Sequence, residues 1–335
     1  MRLIKGWDDE LKTEARIGKG TVKNRSDTFF VVLIFCLLLC FSFPVFSEIY
    51  SWKDEYGNTH FGDKVLEGTE QKKVDLKVQE SEWEKYLIKV NDVDNILTDK
   101  ELLQIRRDVG AVYQFFDEKL YFDIYKTIPI SIRLYKTQES YNNYLESMGS
   151  KNKKGSRGIY LTRNNEVVVF INKKYRLRTF WTIKHEIAHA IVASLIPFVP
   201  AWLNEGLAEN MESLEVMEGI FILHPHNENY RSASRRYRHG EILNLTEFLS
   251  VKSADYYKNM KDGQNSYQAY AGELVRMLLS SETGKSLMRR LIHTYKRGSR
   301  AYSSYLVDDL YVGGTALLQQ KWDEWLIRPS EKLRL

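Results

Sequence analysis

Cysteine is almost missing from this 335-residue chain: there are two, Cys36 and Cys40, and both lie inside one apolar segment. The remaining residues can therefore build no disulfide framework and no thiolate metal site. Any metal held there must be bound by histidine, aspartate or glutamate. An excess of charge of one sign is missing too. The formal net charge of +5, from 49 basic and 44 acidic residues, is too mild to point to nucleic acid. No internal repeat or low-complexity tract interrupts the sequence. The 43% hydrophobic and 28% charged fractions are those of an ordinary globular protein, with room for one large domain or two modest ones.

Long apolar runs are also missing, with one exception. FFVVLIFCLLLCFSFPVFS, Phe29 to Ser47, carries no charge, and its unbroken apolar part runs from Phe29 to Phe41. That part is shorter than the roughly 20 residues of a spanning helix. Val45 and Ser47 stand at −3 and −1 of a cleavage site before Glu48, and Pro44 breaks the helix just ahead. Residues 1–47 therefore read as a signal peptide, or as an N-terminal anchor if they are not cut. In both cases the rest is exported to the far side of the membrane, and membrane contact is through this segment only if it stays uncut.

The segment from 48 to 66 contains IYSWKD and THFGD, two short strands around a turn at Gly57, and 67–80 reads as a polar linker. From 81 to about 120 the spacing of Leu87, Val90, Val93, Ile96, Leu97 and Leu102 predicts helices. IPISIRLY, Ile128–Tyr135, alternates as a strand. GIYLT and EVVVFI read as a hairpin, and the chain after about Asn204 reads as mostly helical. Strands followed by helices give an α+β class for 81–335.

The chemistry concentrates in WTIKHEIAHAIVASL, Trp181 to Leu195. His185 and His189, four apart, share one face of a helix, so two imidazoles can bind one ion while Glu186 reaches a water on it. Phe180, Ile183, Ile187, Ala190, Ile191 and Leu195 supply an apolar surface, and Pro197 stops the run. A core helix with incidental histidines has the same apolar pattern. What favours the metal is PAWLNEGLAEN, Pro200 to Asn210, on a second helix starting near Trp202. Glu205 offers a third ligand, giving His₂Glu with an open position, the donor set of a catalytic Zn²⁺ site. Glu209, one turn on, can accept the free N–H of a ligating histidine.

Two stretches resemble known families. Tyr50, Trp52, Asp54, Gly57, His60, Phe61 and Asp63 match the pattern of DUF4124, a short module found behind bacterial signal peptides. That resemblance implies a bacterial envelope protein, in the periplasm or anchored to the inner membrane, and no activity; His60 is read as structural. HEIAHA followed by WLNEGLAE resembles the gluzincin metallopeptidases, specifically the bacterial peptidase MA-like family with its thermolysin-like, zincin fold. The resemblance implies His185, His189 and Glu205 as zinc ligands, Glu186 as catalytic base, and a peptide or protein as substrate. It also implies an edge strand around Glu166 to Ile171 for that substrate, and a downstream Tyr as oxyanion donor. Tyr267 is the candidate, with Tyr270 the alternative. The Gly-x-Met-Glu-Asn motif of aminopeptidases is absent, which favours an endopeptidase.

Two other classes share these residues: an envelope binding or scaffolding protein that keeps zinc without turnover, and a zinc hydrolase of a non-peptide cell-wall amide. His224 and His226 could bind a second metal or the oxyanion, but Pro225 and the Asn-rich context read as a surface loop; His239 and His293 read as solvated. The basic runs Arg231–Gly240 and Arg289–Arg300 read as solvated faces, or as attraction to an anionic envelope surface.

Overall fold

The computed structural model describes residues 50–53, 59–62, 71–73, 86–151, 154–172, 174–261 and 266–335. The apolar segment, Gly57 and the boundaries read at 47/48, 66/67 and 80/81 lie outside them. The chain divides into two compact units, Met1–Ser81 and Glu82–Leu335. Among the described residues no helix is long and apolar enough to cross a membrane.

In the first unit, β1 (Tyr50–Lys53) pairs antiparallel with β2 (Thr59–Gly62), placing Trp52 opposite His60. The two strands are those the sequence predicts. The other edge of β1 pairs with β3 (Gln71–Lys73), inside the stretch read as linker. A two-stranded hairpin is marginal alone, and a third strand supplies pairing that the polar composition of Gln71–Lys73 did not advertise.

The second unit is built on a four-stranded sheet in the order β4 (Tyr86–Asp92), β5 (Ile128–Tyr135), β7 (Glu166–Phe170), β6 (Gly158–Leu161). β4, β5 and β7 run parallel, with Ile88 opposite Ile130 and Ile132 opposite Val167; β6 returns antiparallel, with Tyr160 opposite Val167. β4 corrects the helical reading of this stretch. Leu87 and Val93, two of the residues that suggested a 3.6-residue period, are 56% and 43% exposed. Tyr86, Ile88 and Val90 pack against the core instead, which is a period of two.

Helix α1 (Asp99–Gln114) follows, opened by a capping box in which Thr98 and Glu101 satisfy each other's backbone N–H. A π-helical turn, Phe115–Lys119, ends it. Helix α2 (Gln138–Ser147) covers a smaller core with Tyr141, Leu145, Tyr135, Leu161 and Val168. Helices α3 (Arg176–Leu195) and α4 (Ala201–Glu212) carry the motif residues and are buried along most of their length. Pro197 and Pro200 punctuate the link, and Pro200 caps α4 with the φ that proline favours.

After α4 the chain is not helical at once. β8 (Leu214–Met217) and β9 (Ile220–Leu223) form a hairpin, joined by β10 (Leu333–Arg334) from the C-terminus. Glu218 and Gly219 both have positive φ, the requirement of a two-residue hairpin turn. Then come α5 (Asn227–Arg238), α6 (Leu245–Phe248), α7 (Ser253–Lys261), α8 (Ser266–Leu279), α9 (Glu282–Lys296), α10 (Ser303–Leu310) and α11 (Gly314–Ile327). This mixture of small sheets and eleven helices among the described residues agrees with the α+β class.

α8 lies against α4 at glycine. A Cβ on Gly206 would stand 2.5 Å from the carbonyl oxygen of Ala271 and from a methyl of Val275. Asn210, on the next turn of α4, donates its side-chain amide to the carbonyls of Gly206 and Gly272, both at 2.8 Å. The contact sets how closely α4 approaches α8.

Candidate metal centre

α3 and α4 bring the predicted ligands together. Nε2 of His185 is 3.7 Å and Nε2 of His189 is 3.8 Å from the same oxygen, Oε2 of Glu205. All three side chains are buried or nearly so, and their ligand atoms lie within 4.8 Å of one another. These spacings are too long for hydrogen bonds. They are close to the edge of a tetrahedron around an ion with ligand bonds of about 2.0–2.2 Å, which is roughly 3.3–3.6 Å. The donor set and spacing fit a divalent ion of the zinc type.

The electrostatics are those of a site with acids around its imidazoles. Burial would lower the His185 pKa, but the Glu205 and Glu212 carboxylates outweigh it and raise it well above the ordinary value. Burial would raise Glu205; His189, His185 and the Tyr257 hydroxyl outweigh that and hold its carboxyl at about 2. Tyr257, on α7, donates to Glu205 Oε1 at 2.9 Å. Its own pKa is raised by burial and by the negative charge of Glu205.

Glu186 is buried, 8% exposed, and β6 lies over it. A Cβ on Gly158, the first residue of β6, would come 3.4 Å from Glu186 Cγ and 2.5 Å from the Thr182 methyl. The strand beside the site is thus β6, an edge strand among the described residues. Glu166–Phe170, expected at the edge, is corrected: β7 is interior, paired with β5 and β6.

Glu209 lies behind His185, but it is not the nearest carboxylate. Its Oε1 is 3.7 Å from His185 Nδ1, whereas Glu212 Oε1 is at 3.0 Å, off the axis of the ring N–H. Glu209 accepts from Asn229 at 2.6 Å and from the Gln268 amide. Burial and the neighbouring Glu212 raise the Glu209 pKa. The opposite holds for Glu212, where His185 and His226 outweigh the burial and lower it.

His226 lies in the loop the sequence predicts, between β9 and α5, but half-buried rather than at the surface. It caps α5, and its Nε2 lies 3.6 Å from Glu209 Oε2 and 3.5 Å from Glu212 Oε2. His224 pairs with Glu215 at 2.6 Å on the adjacent hairpin. Tyr267 sits elsewhere: its ring packs edge-on to Phe248 at 5.3 Å and against Tyr256 at 5.5 Å. Tyr270 is buried against Trp322. The tyrosine brought to a ligand is Tyr257.

A cleft of ≈ 1190 Å³ is not lined by the three ligands. It opens beside them, with Glu209, Glu212 and His226 on one wall and Trp181, Lys184 and Arg157 among the others.

A known family matches part of the chain. The family described as Domain of unknown function (DUF4124) covers residues 36–82. No curated protein matches the chain. The DUF4124 match takes in β1, β2 and β3 and ends a hundred residues before His185, roughly the distance in sequence from the N-terminal module to the metal residues.

Sequence reasoning missed Glu212 and Tyr257, and it left His226 in a surface loop. One signal was available for Glu212: it stands seven residues after Glu205, two helical turns along the same face.

Proposed function

We propose that the chain is an exported zinc-dependent metallopeptidase, an endopeptidase of zincin-like fold working in the bacterial envelope. The observation that carries this reading is the meeting of His185 and His189 on one oxygen of Glu205, with Glu186 on the same helix under an edge strand. The apolar segment Phe29–Ser47 and the DUF4124 match at 36–82 support the envelope.

His185, His189 and Glu205 would hold the ion. Zinc bound there would supply a water of pKa about 7 and a Lewis acid. The Glu186 carboxylate would take the water proton and pass it to the leaving nitrogen. The edge of β6 offers backbone N–H and C=O groups to an extended peptide, which would lie across Glu186. Tyr257 orients Glu205 through its other oxygen and is the hydroxyl nearest the ligands.

Metal analysis tests the ligand set. One equivalent of zinc in the purified chain, kept by Glu186→Gln and lost by His185→Ala, is the expected result. Stoichiometric zinc in His185→Ala would refute the assignment.

A further inference from the structure

We infer that His226 and Glu212 are positioning residues of the metal centre: His226 braces the Glu209–Glu212 carboxylate pair, and Glu212 in turn fixes the Nδ1 side of His185. The inference rests on the zinc reading above and extends it to two residues outside the ligand motifs.

Glu212 faces a histidine with each oxygen. Oε1 is 3.0 Å from His185 Nδ1, and Oε2 is 3.5 Å from His226 Nε2. Glu209 is less free to serve His185, because Asn229 and Gln268 already donate to its two oxygens. The two glutamates lie three apart on α4, both turned into the protein, so their like charges repel in a poorly solvated place. A donor between them would offset that repulsion.

His226 is built to be that donor. Its Nδ1 accepts the backbone N–H of Asn229 at 3.2 Å, so the ring proton sits on Nε2, the atom that faces both carboxylates. The loop that carries it is anchored from below. Arg276, buried in α8, donates to the carbonyls of His224 at 2.9 Å and Leu223 at 3.0 Å. The ring therefore reaches α4 from a fixed point.

A ligating histidine whose second nitrogen donates to a carboxylate is fixed in tautomer and orientation, and losing that partner costs typically 10- to 100-fold in metal affinity. Glu212 Oε1 is the carboxylate oxygen nearest that nitrogen of His185, at 3.0 Å though off the axis of its N–H, and His226 faces the other oxygen of Glu212 at 3.5 Å. Both residues line the large cleft, so the relay ends at solvent rather than in the core.

The test is zinc affinity of the full chain by competition with a chromophoric chelator, alongside the cobalt(II) absorption spectrum and the melting temperature of the metal-free protein. Glu212→Gln and His226→Ala each weaken zinc about 10- to 100-fold and shift the cobalt bands. The double variant is no weaker than Glu212→Gln alone, because the two act in series. His226→Gln, which restores an N–H donor, recovers part of the loss. The metal-free melting temperature stays close to that of the wild type. Zinc bound by the wild type with equal affinity in Glu212→Gln and His226→Ala would overturn the relay and leave the zinc reading standing. No zinc in the wild type would sink both. Two equivalents in the wild type, the second lost in His226→Ala, would overturn the relay in favour of a second cation site. A cobalt spectrum unchanged while the metal-free protein melts lower would show a merely structural role.

Discussion

Tyr257 donates its phenolic hydrogen to Oε1 of Glu205 at 2.9 Å, while Oε2 of the same carboxylate faces His185 and His189. One oxygen is thus tied back and the other is presented. Tyr257→Phe keeps the ring and removes the tie, so zinc affinity is predicted to fall on the order of 10-fold with the fold intact. Tyr267→Phe, altering a ring packed on Phe248 and Tyr256, leaves the affinity unchanged. Chelator competition on the two variants separates the tyrosines.

Gly206→Ala places a methyl within 2.5 Å of a backbone oxygen in α8, which cannot yield as a flexible side chain would. Either α4 or α8 must move. The predicted cost is about 1–3 kcal/mol of stability, read as a lower midpoint in chemical denaturation.

Gly158→Ala acts at the other wall. The new methyl meets the Thr182 methyl at 2.5 Å and Val169 at 3.1 Å, and lifts β6 from α3 above Glu186. A misplaced strand is predicted to lower kcat/KM on the order of 10- to 100-fold, with zinc content unchanged. Steady-state kinetics on metal-loaded protein checks both.

Glu101 joins α1 to the start of α3. It accepts from Arg176 at 2.8 Å and closes the Thr98 capping box. The Arg176 hydrogen bond outweighs burial and lowers its pKa from 4.5 to about 2. A carboxylate whose folded pKa is depressed adds stability above its unfolded pKa and loses it as pH falls through the folded one. The stability advantage of wild type over Glu101→Gln is therefore predicted to be full at neutral pH and to shrink between about 4.5 and 2. Urea denaturation at a series of pH values measures it.

The parts legible in the sequence were those with a strong local period. Ile128–Tyr135, the Gly158–Leu161 and Glu166–Phe170 hairpin, α3 and α4 follow from alternation, from 3.6-residue spacing and from Pro197 and Pro200. His185, His189 and Glu205 were legible because helix geometry fixes what lies four apart, and because α3 and α4 are joined by a short link. β4 was misread, since its apolar residues satisfy two periods at once and only packing decides between them. The β8–β9 hairpin was overlooked because four-residue strands around Glu218–Gly219 carry little pattern. The sequence shows His226 only as a loop histidine and Tyr257 as one tyrosine of many, because each approaches the site from an element whose docking depends on long-range contacts, such as Arg276 on the His224 carbonyl.

The most direct test is cleavage of a peptide library by the zinc-loaded chain and by Glu186→Gln at equal zinc content, read by mass spectrometry. The account predicts internal cleavage by the wild type and a loss of at least about 100-fold in Glu186→Gln, as expected for a general base. Equal cleavage by the two, or none by a wild type carrying one equivalent of zinc, would contradict it.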